Sequence, residues 1–246
     1  MVQPCPICGR PAFGMLQIDA WGNRYHMQHA SEYKPCSACQ RLVCDKLTGG
    51  GVTYSDGRLV CSLCRRTAID TKEQAKPHVE AMAAWLCQNG FAFQNLVLRI
   101  ELVGQMELMA KTRGPASPYT QGIITKSWLT QNGRTTRRVD GVAILAGLPR
   151  QMLNGVAVHE LGHAWLFLEG ADSLEPRVEE GFCNTLSFLY HSEVSSDEAR
   201  FCLRVIQDSP DPIYGDGFRL VHAAVQRWGL RTIADYLKQY RQLPPA

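Results

Sequence analysis

The residues of this chain best suited to chemistry are His159, Glu160 and His163, which form the pattern H-E-x-x-H. Two histidines four residues apart on an α-helix differ by about 40° in azimuth, so both imidazoles leave one face and can share a metal ion. The glutamate lies at the flank of that face, where it can take a proton from a metal-bound water. The same residues also occur together on ordinary helix surfaces. The pattern therefore predicts a zinc hydrolase site, which the surrounding sequence has to support.

The sequence around this pattern favours a helix from about Pro149 to Leu168. Pro149 suits the first turn of a helix, and Gly170 ends the run. The two histidines therefore belong to a regular helix, as a shared metal ion requires. The residues that recur on one side at the helical period are Val156, His159, His163 and Phe167.

A zinc ion held by two histidines needs one more protein ligand and an open position for water. Glu180 follows His163 after sixteen intervening residues, which is enough for the chain to turn back. The order Glu180-Gly181-Phe182 resembles the third-ligand segment of the gluzincin metallopeptidases, where the ligand is the glutamate just before glycine. This resemblance selects Glu180 over Glu179. The alternative is that both are ordinary acidic residues of a first helical turn.

Six of the ten cysteines form C-x-x-C pairs before residue 65, a spacing more typical of zinc knuckles than of disulfides. Two consecutive sets of four ligands predict two structural zinc ions, with a zinc ribbon or a rubredoxin-like iron site as the alternative. So short a segment has little core, so metal should supply much of its stability. The first set is Cys5, Cys8, His26 and His29; the second is Cys36, Cys39, Cys61 and Cys64.

The order and spacing of these eight ligands resemble a LIM domain. One departure is that six residues, Ala30 to Pro35, separate the two sets, where a LIM domain usually has two. We therefore expect the two zinc halves to be angled differently, or the segment to be a divergent subtype. The cysteines outside the pairs, expected to be small apolar core residues, are Cys44, Cys87, Cys183 and Cys202.

Composition and charge narrow the class of protein. The hydrophobic content of 45%, the charged content of 20% and the net charge of +3 are ordinary for a soluble globular protein. So small a net charge gives no argument for a nucleic-acid or membrane partner. The chain starts without a secretory signal and has no apolar run of about 18 residues, so we expect a reducing, cytoplasmic location.

Beyond the cysteine pairs, the patterns predict an α+β fold with a small sheet and a mostly helical C-terminal half. A helix is expected over 71–89, and strands over 96–102, 122–129 and 138–145. Asn132-Gly133 predicts a hairpin turn between the last two strands, with an exposed basic tip favoured over a binding patch. By analogy with zincins, the strand over 139–145 is expected at the edge of the cleft. Loops are expected over 114–118 and 209–219.

Four segments outside the cysteine pairs are together similar to one family. With the LIM-like module, they resemble the LIM-domain peptidases of the plant organ-size regulators, the DA-type peptidases, which also have bacterial members. The plant members carry ubiquitin-interacting segments and are activated by ubiquitylation. No such segment precedes the first cysteine pair here, so control by ubiquitin is not carried over to this chain. The short chain favours a bacterial form. The segments are Gly147-Leu148-Pro149-Arg150, His159 to Trp165, Glu179 to Cys183, and Tyr214 to Arg219.

The resemblance implies a LIM-like zinc module over residues 1–67 and a zincin-like, gluzincin-type metallopeptidase domain over 68–246. It implies His159, His163 and Glu180 as ligands of a catalytic zinc and Glu160 as the general base. With the two structural ions, we expect three zinc ions in all. Substrates would be proteins or peptides, and the LIM-like module would recruit substrates or partners or regulate the enzyme. No nucleic acid or membrane partner is expected.

The oxyanion formed in peptide hydrolysis needs a second stabilising group. Tyr214, in the glycine-rich loop, is the first candidate and His222 the second, although each can also be a packing residue. Two other functions stay open. One is a LIM-type interaction scaffold with an inactive peptidase-like domain, against which the intact set from His159 to Glu180 counts. The other is a nucleic-acid-binding zinc protein, against which the weak and scattered charge counts.

Overall fold

A computed structural model describes residues 3–93, 96, 98–112, 120–171 and 173–245. The chain forms two compact units, Met1–Asp70 with Ala146–Arg150, and Thr71–Leu145 with Gln151–Ala246. The boundary expected between residues 67 and 68 stays a prediction, as does the gluzincin class of the fold. The loop expected over 114–118 lies outside the described residues.

The N-terminal unit consists of two similar halves built from short elements. In each half, a cysteine N–H donates to the carbonyl of an arginine five residues later, from Cys5 to Arg10 and from Cys36 to Arg41, both at 2.8 Å. A left-handed residue tightens each turn, Gly9 in the first half and Gln40 in the second. The elements are β1 (Leu16–Ile18), β2 (Arg24–His26), α1 (His29–Glu32), α2 (Asp45–Thr48), β3 (Gly51–Thr53), β4 (Leu59–Cys61), α3 (Ser62–Arg65), β5 (Ala68–Ile69) and β9 (Leu148–Pro149).

A three-stranded sheet and seven helices make up the described part of the second unit. The elements are α4 (Lys72–Gln88), β6 (Arg99–Val103), α5 (Gln105–Lys111), β7 (Gly122–Gln131), β8 (Arg134–Leu145), α6 (Arg150–Leu168), α7 (Pro176–Ser192), α8 (Asp197–Gln207), α9 (Gly215–Trp228) and α10 (Leu230–Tyr240), where Arg150 of α6 belongs to the first unit. The helix expected over 71–89 is present, with Thr71 and Gln74 forming a capping box. Mixed helix and small sheet are therefore confirmed.

The order of the sheet is β6-β8-β7, with β6 parallel and β7 antiparallel to β8. Asn132 and Gly133, both at positive φ, form the expected two-residue turn between β7 and β8. The strand over 139–145 is not an edge strand of the sheet, because β6 and β7 flank β8 over Gly141–Leu145; its expected place at the edge of the cleft stays a prediction. In the described sheet, β7 has a free edge, and this strand lies beside α6, the helix that carries His159 and His163.

Helices α6 and α7 pack closely because α6 has glycines where α7 approaches. A Cβ on Gly155 would lie 2.3 Å from Nε2 of His191, and one on Gly162 would lie 3.1 Å from Sγ of Cys183. The ring of His191 is buried, and its Nδ1 accepts a hydrogen bond from the Gln151 amide at 2.9 Å. Burial lowers the pKa of His191 to about 4, so this histidine is neutral in the folded protein at pH 7.

Replacing His191 with Gln should weaken the acid sensitivity of folding. In the unfolded chain the His191 pKa is about 6.5, so below that pH the unfolded state binds a proton that the folded state excludes. The native chain should therefore lose stability as the pH falls from about 6.5 towards 4. Between pH 7 and pH 4.5 the free energy of unfolding of the native chain should fall, and we expect His191→Gln to make this fall smaller by about 2 kcal/mol. Urea denaturation of both zinc-loaded proteins tests this, and parallel pH curves would contradict it.

Candidate metal centres

His159, His163 and Glu180 meet in one place, where α6 faces α7. The Nε2 atoms of the two histidines are 3.2 Å apart. Oε2 of Glu180 lies 3.1 Å from Nε2 of His159 and 3.4 Å from Nε2 of His163. Two ligands bound at 2.0–2.1 Å with tetrahedral geometry are about 3.3 Å apart. The three atoms therefore have the spacing of one face of a tetrahedral zinc site.

The donor set also suits a zinc ion that keeps an open position. Two imidazoles and one carboxylate are typical of hydrolytic zinc sites. The side chains of His159, His163 and Glu180 are 15%, 12% and 20% exposed, so water can reach them. Burial would raise the pKa of Glu180, but hydrogen bonds from the two histidines hold it well below its usual range. The carboxyl group is therefore ionised, as a metal ligand must be.

Glu179 has a role that the sequence interpretation missed. Its Oε1 lies 2.9 Å from Nδ1 of His163, on the side of the ring away from the ligand triangle. A carboxylate at this nitrogen fixes the tautomer and orientation of a metal-binding histidine. Because Glu179 and Glu180 are adjacent, one turn of α7 supplies both a candidate ligand and the group that orients another. Two consecutive acids before a glycine were the available signal.

Glu160 lies between the ligands and the edge strand β7. The residue is only 7% exposed, and the backbone N–H of Ile124 donates to its carboxylate. A Cβ on Gly122 would lie 2.8 Å from Oε1 of Glu160, so only glycine leaves room for this carboxylate beside the strand. Burial raises the pKa of Glu160, and the charges of His159 and His163 act in the opposite direction. A carboxyl group with a raised pKa suits proton transfer near neutral pH.

Tyr214 lies close to the same cluster, at the start of α9. Burial and then the negative charge of Glu180 raise the pKa of its phenol to about 12, and the charges of His163 and Glu160 also act on it. The side chain is still 42% exposed. The expected loop over 209–219 is shorter than predicted, because α9 begins at Gly215. Tyr214 therefore lies directly before a helix, at its N-terminal cap position, and not within a long loop.

The other candidate, His222, is placed in an aromatic cluster. Its ring stacks on Phe218 at a centroid distance of 5.0 Å and meets Phe188 edge-on at 4.8 Å. Burial lowers its pKa. These contacts are those of a packing residue, and the choice of Tyr214 over His222 as the oxyanion-stabilising group stays a prediction.

The four cysteines of the second set converge in the N-terminal unit. The Sγ atoms of Cys39 and Cys61 are 3.7 Å apart, and the N–H of Cys61 donates to Sγ of Cys36 at 3.3 Å. Two thiolates bound at about 2.3 Å with tetrahedral geometry are about 3.8 Å apart, so this spacing also fits zinc. None of the ten cysteines, all of which lie among the described residues, forms a disulfide.

The first set, Cys5, Cys8, His26 and His29, also converges. Glu32 lies 2.5 Å from Nδ1 of His29, and Nε2 of that ring is buried without a hydrogen-bond partner among the described residues. A buried nitrogen of this kind is expected of a metal ligand. Burial would raise the pKa of the Cys5 thiol, but backbone N–H groups, led by that of Cys8, lower it to about 6. Both sets fit the zinc sites of a LIM-like module.

Comparison with known proteins finds similarity to DA1-type and LIM-domain proteins. A family model described as "DA1-like: Protein DA1" matches residues 109–199, which include the cluster of His159, His163 and Glu180. Protein DA1-related 2 of Arabidopsis thaliana is 28% identical over 89% of this chain and 52% of its own length. LIM domain-containing protein HDR3 of Oryza sativa subsp. japonica is 27% identical over 92% of this chain and 58% of its own.

Protein DA1 of Arabidopsis thaliana is 24% identical over 94% of this chain and 54% of its own length. The chain therefore spans about half the length of the curated relatives it matches. No solved structure matches. Over most of its length, this chain is similar to DA1-type proteins, and the matched family model covers its histidine–glutamate cluster.

Proposed function

We propose that this protein is a zinc metallopeptidase of the gluzincin type, which hydrolyses peptide bonds in proteins or peptides. The observation that carries the proposal is the triangle of ligand atoms from His159, His163 and Glu180, with sides of 3.1 to 3.4 Å. The buried carboxylate of Glu160 beside that triangle supplies the base that hydrolysis needs. A LIM-type interaction scaffold would need neither the triangle nor the base.

Each residue of the proposed site has a separate role in peptide hydrolysis. When bound, zinc would supply a Lewis acid that lowers the pKa of a coordinated water to about 7 and polarises the scissile carbonyl. Glu160 takes the proton from the attacking water and passes it to the leaving amine. Glu179 keeps His163 oriented through Nδ1. The Tyr214 phenol, whose raised pKa keeps it protonated, donates a hydrogen bond to the developing oxyanion.

The free edge of β7 is our candidate for holding an extended substrate. Ile124 is paired with Val142 of β8 on one side of the strand, and its N–H points towards Glu160. An extended peptide can add to such an edge through main-chain hydrogen bonds. The peptide would then lie along the same strand that contacts the base.

The N-terminal unit would carry two structural zinc ions and bind substrates or protein partners. A cytoplasmic location also stays a proposal, supported by ten cysteines of which none forms a disulfide. In the described part of the chain, no helix has the length and apolar character needed to cross a bilayer.

Freshly purified protein should contain three zinc ions per chain, because three separate ligand sets converge. Under increasing chelator, the ion of the histidine–glutamate site should leave first, since a ligand set with an open position admits competitors. Elemental analysis across a chelator series measures both the number and the order. Iron in place of zinc, two ions in place of three, or earlier loss of the four-cysteine ion would contradict this.

A further inference from the structure

The start of α9 is tied to the helix that carries the candidate ligand Glu180. Asn184 lies one turn after Glu180 on α7, so both side chains leave the same face of that helix. The Asn184 amide donates a hydrogen bond to the backbone carbonyl of Tyr214 at 3.1 Å. That carbonyl also accepts the helical N–H of Phe218, so both of its lone pairs are used.

Asp211 holds the same segment, just before α9, through hydrogen bonds to residues 213–216. One carboxylate oxygen accepts the backbone N–H groups of Ile213 and Tyr214, at 2.8 and 2.9 Å. The Asp211 carbonyl accepts the N–H groups of Gly215 and Asp216. These four bonds hold the segment before α9 in one conformation. The Asn184 bond reaches the backbone of Tyr214 from α7, the helix of Glu180.

A glycine contact brings α7 and α9 close enough for this bond. A Cβ on Gly181 would lie 2.2 Å from the carbonyl oxygen of Gly217, and a Cβ on Gly217 would lie 2.3 Å from the carbonyl oxygen of Arg177. The two backbones therefore touch one residue after Glu180. Because Tyr214 precedes Gly217 by three residues, this contact brings the start of α9 close to the part of α7 that carries Glu180.

We propose that Asn184 is a positioning residue, which holds the start of α9 against α7 and acts on turnover through Tyr214 alone. The inference rests on the proposed peptidase function for its effect on rate. The contact itself can be tested without turnover. Asn184 lies on α7 one turn after Glu180, so its bond ties the backbone of Tyr214 to the helix that carries this ligand.

The test is a double-mutant cycle on the full zinc-loaded chain, with Asn184→Ala, Tyr214→Phe and the double variant. Alone, Asn184→Ala should lower kcat for a peptide by roughly 3- to 10-fold, the effect of one hydrogen bond. In the Tyr214→Phe background the same change should lower kcat by less than about twofold, because the group it positions is gone. Ser192→Ala, which removes a side-chain bond to Phe188 on the same helix, is the matched control and should leave kcat unchanged.

Hydrogen exchange gives a readout independent of activity. Asn184→Ala should speed exchange at the amides of residues 213–216 and leave those of α10 unchanged, with three zinc ions retained. Equal losses of kcat in both backgrounds, or unchanged exchange at 213–216, would overturn the inference. A wild-type chain with three zinc ions and no turnover would instead sink the proposed function, and the exchange result would still decide the role of Asn184.

Discussion

Glu160→Gln should lower peptidase turnover by a factor of roughly 10² or more and leave all three zinc ions bound. Gln is nearly isosteric and keeps a hydrogen bond to the attacking water, but it cannot accept a proton at neutral pH. Zinc should stay because the three ligand atoms come from His159, His163 and Glu180. Steady-state kinetics on a peptide substrate, with elemental analysis of the same samples, measures both effects.

The matched control for this change is Glu175→Gln. Glu175 is an exposed acid at the start of α7, one turn before Glu179, so it tests whether loss of a negative charge near the site is enough to slow turnover. The control should keep the wild-type rate. If Glu160→Gln also keeps that rate, the helix does not work as a hydrolase site, and the interaction-scaffold function is favoured.

Cys61→Ala should abolish the four-cysteine zinc site and unfold the second half of the N-terminal unit. Cys61 is fully buried, and its thiol lies beside that of Cys39. Structural zinc contributes about 10 kcal/mol or more to the folding of small domains, far more than the core of so short a segment can replace. We expect two zinc ions in place of three and rapid proteolysis between Cys36 and Cys64.

Cys44→Ala is the control for this prediction. Cys44 is also buried, but it packs in the apolar cluster with Ile7, Tyr25 and Leu42 and belongs to neither ligand set. We expect this variant to keep three zinc ions and lose about 1 kcal/mol of stability. Equal zinc contents in the Cys44 and Cys61 variants would contradict the four-cysteine site.

The ligand pairs could be predicted from the sequence because the geometry within each pair is local. Three residues separate His159 from His163 on one helix, and two residues separate the cysteines of each C-x-x-C pair, so the spacing brings the atoms of each pair together. The hairpin turn was predictable for the same reason, since Asn132 and Gly133 both take the positive φ that such a turn requires. Glu180 was predicted only through a resemblance, because sixteen residues separate it from His163.

Long-range packing explains what the sequence could not predict. The central position of β8 depends on its parallel pairing with β6, about forty residues away in the chain, and periodicity does not give the order of strands. Gly215 and Gly217 suggested a loop because glycine disfavours helices. In the structure both lie in α9, and Gly217 is required there because the Arg177 carbonyl leaves no room for a Cβ.

On the proposed function, peptide hydrolysis depends on the zinc ion held by His159, His163 and Glu180. The most direct measurement is peptidase activity as a function of zinc returned to protein from which only the most weakly held ion has been removed. We predict no cleavage with two zinc ions, full recovery as the third equivalent binds, and neither binding nor recovery in His163→Ala. Cleavage that persists with two ions, or that fails to appear when the third is bound, would contradict the account.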